Sequence, residues 1–100
     1  MVRHTHRRKQ VQRSARLVRQ WKKTIGERIQ DVRKDIGLNQ EEGGAVMGWS
    51  KDVMGNIEKG RTEITVPELI VMAQMWGLSP EAVFKKLAEM HVKRRRRHGG

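Results

Sequence analysis

One hundred residues, 36% hydrophobic with only four aromatics, suffice for one domain around one modest core. The absence of cysteine excludes disulfides and thiolate metal sites. No apolar run approaches the ~20 residues of a membrane span, and the basic N-terminus has no apolar segment behind it to make a secretory signal. A formal charge of +11 calls for a polyanionic partner, and its distribution is uneven. Residues 1–23 carry nine Lys/Arg and no acid, and residues 91–100 carry five and no acid, which leaves residues 24–90 at net −3. The chain therefore divides into a basic N-terminal segment (1–23), a central domain (24–90) and a basic C-terminal tail (91–100).

In chain order, Val11, Ala15, Val18 and Trp21 fall at spacings of four, three and three, which favours a helix over about 10–22 against an unstructured basic arm. Thr24 with Glu27 reads as a capping box opening a helix over 25–36, with Ile25, Ile29, Val32 and Ile36 on one face and Gly37 just past its end. Asn39 with Glu42 starts a second helix over 40–47, stopped at Gly48. Ser50 caps a third over 51–59, ended by Gly60. Thr65 with Glu68 and Pro67 opens a fourth, with Leu69, Met72, Ala73 and Trp76 buried and Gly77 closing it. Ser79-Pro80 starts a fifth, with Val83, Phe84, Leu87 and Met90 as its buried face. Short helices joined by turns of two to five residues make a compact all-α domain.

Two short helices joined by a tight glycine-containing turn form a geometry that places the second helix in a DNA major groove. The run from Ile25 to Glu42, then Gly48-Trp49-Ser50, Asn56 to Arg61, and Trp76 to Glu81 resembles the phage-repressor, or xenobiotic-response-element, helix-turn-helix family. The resemblance stops short of both basic ends. It implies a five-helix lambda-repressor-like fold and a DNA-binding regulator, in which the helix after Ser50 is the recognition helix. Lys51, Asp52 and Asn56 match positions that face base edges, and Gly55 on the same side would permit close backbone approach. The chemistry agrees, since Lys donates to guanine, Asp accepts from cytosine N4, and Asn pairs bidentately with adenine. Asp52 is equally suited to favour its helix N-terminus, and Lys59 to complement the C-terminus. Gln40 matches a phosphate-contacting glutamine, and Ser50, Lys59 and Arg61 are further phosphate candidates. Arg7, Arg8, Lys9 and Arg13 in one basic end, and Arg94, Arg95, Arg96 and Arg97 in the other, add phosphate contacts. The resemblance also implies an ion pair between Arg33 and Glu58, tying the 25–36 helix to the recognition helix.

The sequence departs from that family at Gly43, where a leucine usually packs, followed by Gly44. Two interior glycines disfavour a helix by roughly 1 kcal/mol each. Trp49 is expected to fold back into the gap, the alternative being an indole partly exposed beside DNA. Enzymatic chemistry is not expected: His4, His6, His91 and His98 all lie in the basic ends, and no triad, phosphate loop or closed metal ligand set is present. No cofactor is implied. The expected function is sequence-specific repression from an inverted-repeat operator, by a homodimer in a bacterial cytoplasm or nucleoid, of phage or bacterial origin. An antitoxin or other protein-interaction module, and a low-specificity architectural nucleic-acid binder, are the alternatives. Phe84, Leu87 and Met90 on the fifth helix are the expected dimer surface, with the N-terminal helix as the other candidate.

Overall fold

In a computed structural model the described residues are 2–88, with side chains described from Lys9 onward. They form five helices and no strand: α1 (Val2–Asp35), α2 (Gln40–Ala45), α3 (Lys51–Glu58), α4 (Val66–Met75) and α5 over 80–88. Arg7, Arg8, His4 and His6 lie outside the described side chains; Met90, His91, His98 and Arg94 to Arg97 lie outside the described residues.

α1 corrects the expected break at Thr24. The two helices read from the sequence are one uninterrupted helix of 34 residues. Gln20 to Lys23 contain no glycine or proline, so the helix propagates through Thr24. Propagation satisfies backbone amides that a fresh N-terminus would leave exposed, and it avoids a second nucleation. At 1.5 Å per residue the helix is about 51 Å long. Ile29 and Val32, near its C-terminal end, are buried, whereas every residue from Lys9 to Trp21 is exposed.

The remaining boundaries follow local signals. Asn39 Oδ1 accepts the Glu42 amide at 2.7 Å while Glu42 accepts the Asn39 amide at 2.9 Å. Thr65 and Glu68 make the same reciprocal pair at the start of α4. The Ser50 hydroxyl accepts the Val53 amide, and that of Ser79 the Ala82 amide. Ser79 also donates to Glu81, holding that carboxyl below the usual range. Gly37, Gly48, Gly60 and Gly77 each take a positive φ just past a helix.

The core gathers Ile29 and Val32 from α1, Met54 and Ile57 from α3, Leu69, Met72 and Ala73 from α4 with Trp76 just past its end, and Val83 and Leu87 from α5. Two expected core positions turn outward. Ile36 follows the last residue of α1 and is exposed, and Phe84 sits beside the buried Val83 but is 39% exposed. Asp35 and Lys86 pair at 2.6 Å across the surface between α1 and α5. Arg28 is buried with Nη1 3.4 Å from Asp31, and its Nε has no hydrogen-bond partner among the described residues.

Candidate nucleic-acid interface

α3 is presented to solvent by the elements around it. α2 and α3 are joined by a short turn in which the Met47 and Trp49 amides both donate to Gly44 O and the Gly48 amide donates to Ala45 O. A Cβ on Gly44 would lie 2.9 Å from Trp49 O and 3.3 Å from Met54 Cβ. The glycine therefore lets the turn and the first turn of α3 close onto α2.

The other end of α3 sits directly on α1. A Cβ on Gly26 would lie 2.4 Å from Ile57 O and 2.7 Å from Glu58 O, and one on Gly60 would lie 2.8 Å from Lys23 Cα. Two backbones meet here with no side chain between them. A glycine inside α1 costs about 1 kcal/mol of helix propensity, which this close approach offsets. The sequence reading missed this role of Gly26; an isolated glycine inside an otherwise good helical pattern is its signal.

A buried polar lock then fixes the rotation of α3. Arg33 Nε donates to Glu58 Oε2 at 2.6 Å, Nη2 to Oε1 at 3.0 Å, and Nη1 to the Leu38 carbonyl at 2.7 Å. Gln40 Nε2 donates to Glu58 Oε1 at 3.0 Å. Arg33 and Glu58 are both buried, so the pair is fully engaged and well shielded. One carboxylate thereby joins α1, α2 and α3.

The gap at Gly43 is filled differently from expectation. A Cβ there would meet Arg33 Cδ at 2.8 Å and the Trp76 ring at 3.3 Å. Trp76 Nε1 donates to the Gly43 carbonyl at 3.1 Å, so the buried indole is also satisfied. Trp76 and Arg33, not Trp49, occupy the space. Trp49 is half-buried and packs against the core from the turn.

The outer face of α3 carries Lys51 and Asp52, both exposed, and Asn56, half-buried. Gly55 is buried, and a Cβ there would meet the Gln40 carboxamide at 3.5 to 3.8 Å, so the space it leaves is taken up within the protein. Gln40 reaches Glu58 across it. Ser50 is the exposed cap of α3. Lys59 is exposed at the C-cap, and Arg61 is exposed just beyond, its amide donating to Asn56 O. Lys9 and Arg13 lie on the exposed part of α1, away from this cluster in sequence. Among the described residues no group of three or more His, Asp or Glu could hold a metal ion, and no helix is long and apolar enough to cross a membrane.

A short α2, a tight turn and a solvent-facing α3 held by the rest of an all-helical domain define a helix-turn-helix protein. No family model matches the chain. Over 58 residues it is 36% identical to an uncharacterised HTH-type transcriptional regulator, y4dJ, of Sinorhizobium fredii (strain NBRC 101917 / NGR234), a match spanning 58% of this chain and 75% of that protein. The chain belongs to the HTH-type transcriptional regulators.

Proposed function

We propose that the protein is a sequence-specific transcriptional repressor of the phage-repressor type, binding an inverted-repeat operator as a homodimer. The observation that carries this reading is the pairing of an outward face bearing Lys51, Asp52 and Asn56 with the buried Arg33–Glu58 lock beneath it. A reading helix must hold its side chains in fixed register against base edges, and a bidentate buried pair fixes that register. Lys51, Asp52 and Asn56 read bases, while Gly55 serves the framework by admitting Gln40. Ser50, Lys59, Arg61 and the amide-rich start of α2 at Gln40 contact phosphates. The basic residues of α1, Lys9 and Arg13 among them, and those beyond the described residues supply further phosphate contacts. Half-sites would then lie about one helical turn apart.

Selection of binding sites from random duplex DNA with the full-length chain tests this. The expected result is an enriched palindrome. Recovery of DNA with no enriched motif would instead favour a low-specificity architectural binder, the reading that the charge of α1 keeps in play. Co-purification with an acidic protein in place of DNA would favour the antitoxin reading.

A further inference from the structure

The buried residues of α3, Met54, Gly55, Ile57 and Glu58, centre on one side of its helical wheel. At about 100° per residue, Asn56 lies opposite that centre, with Asp52 about 40° to one flank and Val53 about 60° to the other. Val53 is 36% exposed and takes no part in the core. It therefore stands on the outward face next to Asn56, three residues along, a spacing that puts Cβ atoms about 5–6 Å apart. A single exposed valine is ordinary on most surfaces. This one occupies a position that the other helices fill differently.

Val53 is the third residue of α3, and its amide donates to the Ser50 hydroxyl at 3.2 Å. The third residues of α2 and α4 are Glu42 and Glu68, and each carboxylate accepts the amide of its own cap. The matching residue of α5 is Ala82, a strong helix former. Val53 has neither advantage. It cannot accept the Ser50 amide, and its branched Cβ lowers helix propensity. Local stability favours a carboxylate so near a helix start. On the outward face of a reading helix, however, a carboxylate would meet a polyanion. An isopropyl group suits the thymine C5-methyl, the apolar group among the donors and acceptors of the major groove.

We infer that Val53 is a fourth base-reading residue of α3, contacting a thymine methyl within one or two base steps of the base read by Asn56. The spacing of about 5–6 Å between the two side chains spans one to two rises of about 3.4 Å. This rests on the DNA-reading role proposed above for α3. It adds to that role an apolar contact that Lys51, Asp52 and Asn56 do not supply through their hydrogen-bonding groups.

The test uses the operator obtained by site selection, resynthesised with deoxyuridine in place of each thymidine in turn, so that only the methyl is removed. In fluorescence anisotropy with the full-length chain, one thymine per half-site is expected to lose about threefold to tenfold in affinity on this change. Val53→Ala should bind the unmodified operator more weakly and show no further loss at that thymine, its response at other positions being unchanged. Val53→Glu restores a capping box with Ser50, so by circular dichroism it should melt at or above the wild type. It should nonetheless bind the operator at least tenfold more weakly. Equal uridine sensitivity in wild type and Val53→Ala, no sensitive thymine, or undiminished operator binding by Val53→Glu overturns the inference while leaving a sequence-specific repressor standing. Failure to select any motif overturns both.

Discussion

At the scale of single residues, the positions that matter most are those where one group serves several elements. Arg33 spends three guanidinium nitrogens on two partners, Glu58 and the Leu38 carbonyl. Arg33→Ala leaves Glu58 buried and short of its counter-charge, so we expect a loss of roughly 3–5 kcal/mol in denaturant unfolding. Arg33→Lys should recover little of it, because an ammonium cannot reproduce the planar fork. Loss of DNA binding at an unchanged melting temperature would contradict a structural role. The glycines give a paired expectation. Gly26→Ala forces a Cβ to within 2.4 Å of a backbone oxygen and should cost about 1–3 kcal/mol or more. Gly55→Ala meets only Gln40 at 3.5 Å, an ordinary contact, and should stabilise by about 0.5–1 kcal/mol through helix propensity. Thermal melts of the two variants should move in opposite directions. Asn56→Ala should leave stability nearly unchanged and relax preference at one base pair by about 1–3 kcal/mol, measured by competition among operator variants.

At the scale of elements, caps and terminators were legible because they act within four residues. Asn39–Glu42, Ser50 and Thr65–Glu68 operate as their spacing implies, and the positive-φ glycines end the helices before them. Thr24–Glu27 carries the same local signature yet lies inside α1, because nothing before it stops the helix. A capping box favours a start but cannot impose one against a helix-competent upstream segment. The Arg33–Glu58 contact is different in kind. Its ends lie 25 residues apart, and only likeness to a known family pointed to it. Trp76 over Gly43 spans 33 residues, with no local signal at either end. Reading outward from Gly43, Trp49 was the nearer large side chain, but the turn directs it elsewhere. A Trp76→Phe variant loses the bond to the Gly43 carbonyl and part of the buried indole that packs over Gly43, so we expect a loss of roughly 2–4 kcal/mol in denaturant unfolding.

At the scale of the whole molecule, the net positive charge lies outside residues 24–90. The central segment is net −3 while the ends are wholly cationic. We therefore expect α3 to supply sequence choice and the basic ends much of the grip. Six to ten phosphate contacts would weaken binding by roughly 10³–10⁵ between 50 and 200 mM salt. Replacing Lys9, Arg13 and Arg16 together by Gln should lower the slope of log affinity against log salt by about one per lost contact, while the selected motif stays the same. An unchanged slope in fluorescence anisotropy would remove α1 from the DNA contacts.

The sequence by itself determined the all-helical class, the starts of α2, α3, α4 and α5, the glycines that follow α2, α3 and α4, most of the buried stripe, and the polarity of charge along the chain, although α2 ends at Ala45 and not at residue 47. Those are consequences of spacing and of backbone groups satisfied within a turn or two. Only the tertiary structure decided that Gly26 and Gly60 let α1 and α3 touch backbone to backbone, that Trp76 fills the place over Gly43, and that Phe84 faces outward. Each of these depends on which distant atoms compete for the same volume, and a one-dimensional pattern carries no measure of that distance.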